Sequence, residues 1–412
     1  MKAINNLLVV AIIIVEVSAM FSVELNNSLE FVVELNKLFI DSDKKIDSDN
    51  YCKGEMMFCD DKGQIISIAL YNTSLSAFPV GIALIKDTLE SLVMTYAGLK
   101  GDIPSEIYEL TNLEDLNLQG NNFSGSLSGD IKNLTNLYRL DLTGSSLSGS
   151  IPDSLYSLNK LIHLKLGGNK FSGSLSDNIK NLNELWSLDL SDLNLSGSIP
   201  DGLYKLNGLS YMNLQRNKFS GGLSDDIKNL KDLLTLNLAN SNISGEIPDG
   251  LYSLTRLKYL DLMNNNINGS LSSKIGKLTK LSTLNLGFNQ LSGTIPNEIG
   301  NLVNLRVLDM RENQFEGNIP DLSRLKKLMS MNISSTKHIL NAKCGNEMLS
   351  QSTNKDNCLI RPVSKLCNNM IRCEYSDRPI SKSSVDSMFY TYGLRMIVMV
   401  VLCIGGIEMM SN

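Results

Sequence analysis

Residues 281–304 read LSTLNLGFNQLSGTIPNEIGNLVN, and variants of this stretch fill most of the 412-residue chain. Leu281, Leu284 and Leu286 alternate with Asn285 in the pattern of a short strand with one face buried. Asn289, Leu291, Gly293 and the pair Ile295–Pro296 follow. The leucine column recurs every 24 residues at Leu89, Leu113, Leu137, Leu161, Leu185, Leu209, Leu233, Leu257, Leu281 and Leu305. A glycine column keeps the same register at Gly101, Gly125, Gly149, Gly173, Gly197, Gly221, Gly245, Gly269, Gly293 and Gly317. One unit of this size cannot bury its own leucines, so each must lie against the copies on either side. Stacked strands form a parallel ladder spaced about 4.8 Å per repeat, and about a dozen repeats make a strip about 55 Å long.

The remaining columns have structural duties. Asn121, Asn169, Asn217, Asn265, Asn289 and Asn313 stand where the chain leaves the strand, and a side-chain amide there can bond main-chain groups that the ladder leaves free. Ser145 and Ser241 can do part of this; Leu193 cannot, and its coil is expected to be weaker. Glycine fits a turn that needs backbone freedom. Pro104, Pro152, Pro200, Pro248, Pro296 and Pro320 fix an extended stretch on the back of the coil.

The combined pattern LxxLxLxxNxLxGxIP, over about residues 65–335, resembles the leucine-rich repeat of the plant-extracellular type. The resemblance implies an α/β solenoid of about 11–12 repeats, a right-handed horseshoe or superhelix with a parallel β-sheet on its concave face. Similar arrays form the ectodomains of receptor-like kinases and receptor-like proteins, and the polygalacturonase-inhibiting proteins. Before the array, the family's cysteine pair usually encloses Trp and Gly-Val, whereas CKGEMMFC has Gly54 and Met56. A second period of 48 residues also runs through the array, at 113–160, 161–208, 209–256 and 257–304, because units ending in Leu-Ser alternate with units ending in Ile-Pro. It reads as recent duplication, with a two-repeat ligand pitch as the alternative.

The ends extend this reading. Met1-Lys2, the apolar run Leu7 to Val15 and Val17-Ser18-Ala19 read as a secretory signal peptide over 1–19. Residues 20–64 form an N-terminal cap, in which Leu25, Leu29, Val32, Val33, Leu35, Leu38 and Phe39 fall mostly at helical spacing. In an oxidising compartment, cysteines that flank an array are expected to pair as Cys52–Cys59 and Cys344–Cys358. Cys367 and Cys373 are the remaining candidates in a cysteine-containing tail over 336–380. Residues 381–412 hold a linker and an apolar run; the stretch 388–410 reads as a membrane anchor, as a lipid-anchor signal or as neither. None of these supplies an intracellular output, so signalling would need a co-receptor.

Net charge is −5, with 38 basic and 43 acidic residues interspersed, which argues against nucleic acid as a partner. Two histidines, no CxxC, no phosphate loop and no nucleophile elbow leave nothing that assembles an active site, so neither enzyme activity nor a metal or cofactor is expected. Candidate glycan acceptors in N-x-[ST] sequons are Asn26, Asn72, Asn122, Asn133, Asn194, Asn242, Asn268 and Asn332; none falls in a concave strand from Leu89 to Glu312.

The central column of that face, Asn117, Asp141, Lys165, Asp189, Asn213, Asn237, Asp261, Asn285 and Asp309, is expected to be solvated. The two columns before it carry Tyr138, His163, Trp186, Tyr211 and Tyr259, with Arg139, Lys165 and Arg216 alongside. Exposed aromatics beside polar groups suit stacking on sugars or anchoring a peptide or protein; packing along the ladder is the alternative. The sequence therefore points to an extracellular or cell-surface protein that binds a protein, peptide or glycan on its concave face. An inhibitor of a wall-degrading hydrolase and a structural or adhesive wall protein are the alternatives.

Overall fold

The computed structural model describes residues 26–333 without a break, followed only by the short strands His338–Ile339, Lys343–Cys344, Glu347–Met348 and Leu359–Ile360. The signal peptide, the Cys344–Cys358 pairing, Cys367, Cys373 and the stretch 388–410 lie outside the described residues. Fourteen strands hydrogen-bond in one sheet. Its edge strands, Met57–Cys59 and Leu359–Ile360, are antiparallel to their neighbours, and the twelve between them are parallel. From Asp115–Asn117 to Ser330–Asn332 each strand of this sheet is three residues long, and register advances by one repeat: Leu188 faces Met212, and Leu260 faces Leu284.

The buried interior is one continuous cluster. The leucine column is fully buried, and Phe123, Phe171, Phe219 and Phe315 fill the space behind it. Fully burying one such side chain contributes about 1.5–3 kcal/mol, and each coil gains this only with its neighbours in place. At the N-terminal end a helix over residues 26–38 covers the open core with Phe31, Val32 and Leu35, while Ser28 Oγ accepts from Ile65 N at 3.3 Å. The Cys52–Cys59 disulfide, S–S 2.01 Å, closes this cap as expected.

The asparagine column works on two coils at once. Asn169 Oδ1 accepts from Ser145 N and Leu147 N at 3.1 and 2.9 Å, and its Nδ2 donates to Leu142 O and Leu166 O at 2.7 Å each. Ser145 and Ser241 reproduce one of these bonds, to Leu118 O and Leu214 O. Leu193 is buried at the same position and offers neither group, so Asn169 N and Phe171 N receive no side-chain carbonyl from that coil.

The helical side of the solenoid is built from short turns. Among the described residues the only α-helix is the cap; the backs of the repeats are five-residue 3-10 turns. A 24-residue coil must close on itself, which leaves length for one tight turn. Each turn is preceded by extended Pro, as at Pro200, or by Ser, as at Ser224, whose Oγ accepts from Asp226 N at 3.2 Å.

These turns explain the 48-residue period. They lie closer in pairs, Asp177–Asn181 with Asp201–Lys205 and Asp225–Asn229 with Asp249–Ser253. Within a pair, Gly202 N donates to Asp177 Oδ1 at 2.6 Å, and a Cβ on Gly202 would come within 2.2 Å of Asp177 O. Between pairs the gap is wider and a tyrosine fills it. Tyr204 OH accepts from Ser224 N at 3.3 Å, and Tyr252 OH accepts from Ser272 N at 3.4 Å. Burial pushes both phenols up to about 12. The doubled period thus coincides with a packing unit on the back of the coil.

Candidate recognition surface

Contrary to the solvated column expected from sequence, Asn117, Asp141, Asn213, Asp261 and Asn285 of the central column are buried, and Lys165, Asp189, Asn237 and Asp309 are half-buried. Asp141 is 2% and Asp261 8% exposed. Each carboxylate or amide folds back onto the turn after its own strand: Asp141 Oδ1 accepts from Thr143 N, Asp189 Oδ1 from Ser191 N and Asp261 Oδ1 from Met263 N, all at 3.0–3.1 Å. This is the local side-chain-to-backbone bond that Asp and Asn make readily. Links also run between coils, with Asn213 Nδ2 donating to Asp189 Oδ2 at 3.3 Å and Asn285 Nδ2 to Asp261 Oδ2 at 3.2 Å. Burial raises the carboxyls of Asp115, Asp189 and Asp309, and pushes Asp261 up to about 6.

The candidate binding residues do not form one uniform strip. Tyr138 and Trp186 are exposed, at 40% and 48%, on the residue before each strand. His163 is half-buried and meets Trp186 edge to face, with ring centroids 5.7 Å apart. Burial, then the charges of Arg139 and Lys165, lower its pKa and favour the neutral imidazole. Arg139 lies 3.8 Å from both Asp115 and Asp141, and Lys165 lies 3.5 Å from Asp141. The register Arg139–His163–Ser187–Tyr211 holds these groups on four consecutive strands.

Tyr211 and Tyr259 were expected to be exposed and are half-buried. Their rings sit on the strand itself and settle against the packed central column, where Tyr259 OH donates to Asp261 Oδ2 at 3.0 Å. Burial raises both phenols well above the ordinary tyrosine range. Arg216 stands apart on the turn beyond the strand, at φ 54°, and pairs with Asp192 at 3.2 Å. A search for aromatics passes over Ile162, 38% exposed between Tyr138 and Trp186; its place in their 24-residue column is the signal that finds it.

Three of the sequons, Asn122, Asn194 and Asn268, lie on short strands outside the main sheet. Among the described residues no helix is long and apolar enough to cross a membrane.

These coils match two family descriptions: "Leucine-rich repeat region" over residues 187–362, and "Leucine Rich Repeat" over 112–134, 136–158 and 160–182. The chain belongs to the leucine-rich-repeat family. It is similar to the solved structure of a TDR receptor, at 30% identity and TM-score 0.62, covering 67% of this chain and 52% of that one. The plant peptide hormone receptor RGFR1 in complex with RGF2 matches at 27% identity and TM-score 0.57, covering 69% and 56%. The PEPR1–AtPEP1 structure matches at 25% and 0.58, covering 76% and 52%. The chain therefore spans about half the length of these receptor structures. No curated protein sequence matches it.

Proposed function

We propose that this protein is a recognition protein, exported or held at the cell surface, that binds a protein, peptide or glycan through its strand-bearing face. The observation that carries the reading is the grouping of exposed Tyr138 and Trp186 with His163, Arg139 and Lys165 on adjacent coils. Exposed aromatics beside oriented polar groups are the usual anchors of such interfaces. The similarity to the plant peptide hormone receptor RGFR1 in complex with RGF2 supports the same reading. Membrane attachment through 388–410 and signalling through a co-receptor belong to the proposal.

The test is capture of extracellular proteins and glycans by the full chain, compared with a Tyr138→Ala/Trp186→Ala double variant. Loss of the captured species by about tenfold or more is expected. Unchanged capture by the double variant removes these residues from the site. Inhibition of a wall-degrading hydrolase by the same face would assign the inhibitor role instead.

A further inference from the structure

Three successive coils carry exposed apolar side chains in a row. Tyr138, Ile162 and Trp186 are 40%, 38% and 48% exposed, and main-chain bonds hold them in register, Ile162 N to Tyr138 O at 2.8 Å and Trp186 N to Ile162 O at 3.0 Å. At ladder spacing the row is about 10 Å long, the span of about three residues of an extended chain.

The far end of the strands that follow Tyr138 and Ile162 is bare, whereas the strand after Trp186 ends at Asp192, paired with Arg216. Gly120, Gly144 and Gly168 occupy one column just past the strand, all at positive φ. That conformation does not demand glycine in this fold, because the same column holds Tyr96, Asp192, Arg216, Asn240, Asn264, Phe288 and Glu312 at φ 50–56°. Gly120 lies under the Tyr96 ring, where a Cβ would come within 2.3 Å. Above Gly144 a Cβ would meet nothing within 4 Å, and above Gly168 only the main chain of Gly144, at 3.5 Å. Glycine main chain open in this way allows another chain to approach closely. A trough thus crosses the strands, walled by the apolar row and floored by Arg139, His163 and Lys165.

Charge decides what fits. The floor cations are already committed: Arg139 lies beside Asp115 and Asp141, and Lys165 beside Asp141. Glu90, Glu114 and Asp189 are in no salt bridge among the described residues. Glu114 is exposed in the coil next to Tyr138, whereas Asp189 is already bonded to Ser191 N and Asn213 Nδ2. The uncommitted charge around the apolar row is negative.

We propose that this trough docks an extended polypeptide segment that lays apolar side chains on Tyr138, Ile162 and Trp186 and a lysine or arginine beside Glu114. The assignment rests on the recognition role proposed above and fixes where on the face the partner lies and what it must carry.

The test uses the immobilised full chain and a displayed library of random linear dodecapeptides. Selected peptides should combine Lys or Arg with aromatic or aliphatic residues. They should bind about tenfold more weakly to Trp186→Ala and to Gly144→Phe. The second variant copies the conformation that Phe288 already adopts, so it fills the shelf while keeping the coil. Glu114→Lys should weaken them as well, and Arg306→Ala should not. Peptides that bind Trp186→Ala and Gly144→Phe normally but lose affinity on Arg306→Ala overturn the trough and leave concave-face recognition standing. Selection of acidic peptides overturns the charge assignment. Binding insensitive to every substitution on this face, or a selection that enriches nothing, overturns the recognition role as well.

Discussion

The two sides of the coil obey different periods. On the strand face every 24 residues bring back the same buried leucines and the same inward-folded Asn or Asp, as in the register of Leu236 with Leu260. On the back the unit is 48, because the turns close up in pairs and tyrosine fills the wider gaps. A strand in a ladder meets identical main-chain partners on both sides, so one repeat suffices. A 3-10 turn meets side chains, and bulk on one turn must be matched by space on the next. The front can therefore vary its outward residues freely, while the back is constrained two coils at a time.

The largest expected loss is on the front. Asn217 bonds Leu190 O and Leu214 O through Nδ2 and Leu195 N through Oδ1. Asn217→Ala leaves these buried groups unsatisfied and should cost about 3 kcal/mol or more in denaturant unfolding, at about 1–3 kcal/mol per group. A cost near zero would show that the turn, not the amide, holds the coils in register.

The front also titrates. Asp261 is held at about 6 by burial, against an unfolded value near 3.9. The folded state therefore keeps a proton that the unfolded chain releases. This contribution to stability is complete below about pH 4 and is lost as pH rises through about 6. On acidification from pH 7 to pH 4, wild type should gain about 2 kcal/mol relative to Asp261→Asn, most of the full difference at 1.36 kcal/mol per unit. Thermal melts of both proteins across that range measure it, and parallel curves would refute the assignment.

On the back, Gly202→Ser should destabilise by about 2 kcal/mol through the clash with Asp177 O. The adjacent pair already shows the compensation: Ser154 stands where Gly202 does, and Gly129 stands where Asp177 does, with Ser154 Oγ 3.5 Å from a Cβ built on Gly129. Asp177→Gly with Gly202→Ser should recover much of the loss, a non-additivity of about 1 kcal/mol or more in a double-mutant cycle. Strict additivity would deny that the turns are paired. The smallest effect is Tyr204→Phe, about 1 kcal/mol, from losing the hydroxyl that accepts from Ser224 N. An equal cost from a mutation of an exposed back-face serine, such as Ser220→Ala, would show that the wide gap has no special role.

The columns of Leu, Asn, Gly and Pro were legible because each repeats a local conformation, and a local conformation is written in local residues. The same legibility misled at the central column. Asp141 and Asp261 alternate with leucines as outward residues should, yet each bends onto the amide two positions ahead and is covered by its neighbours. Tyr211 and Tyr259 followed them inward, while Trp186, one residue earlier in its repeat, stayed exposed.

By itself the sequence determined the parallel stack, its register and the face on which variable residues stand, because an unbroken 24-residue period admits one way of burying its leucines. Tertiary structure alone decided which of those residues remain accessible and which coils act in pairs. Both depend on how deeply one coil settles against the next, and side-chain volumes summed across neighbouring coils set that depth. No single column of the repeat records it.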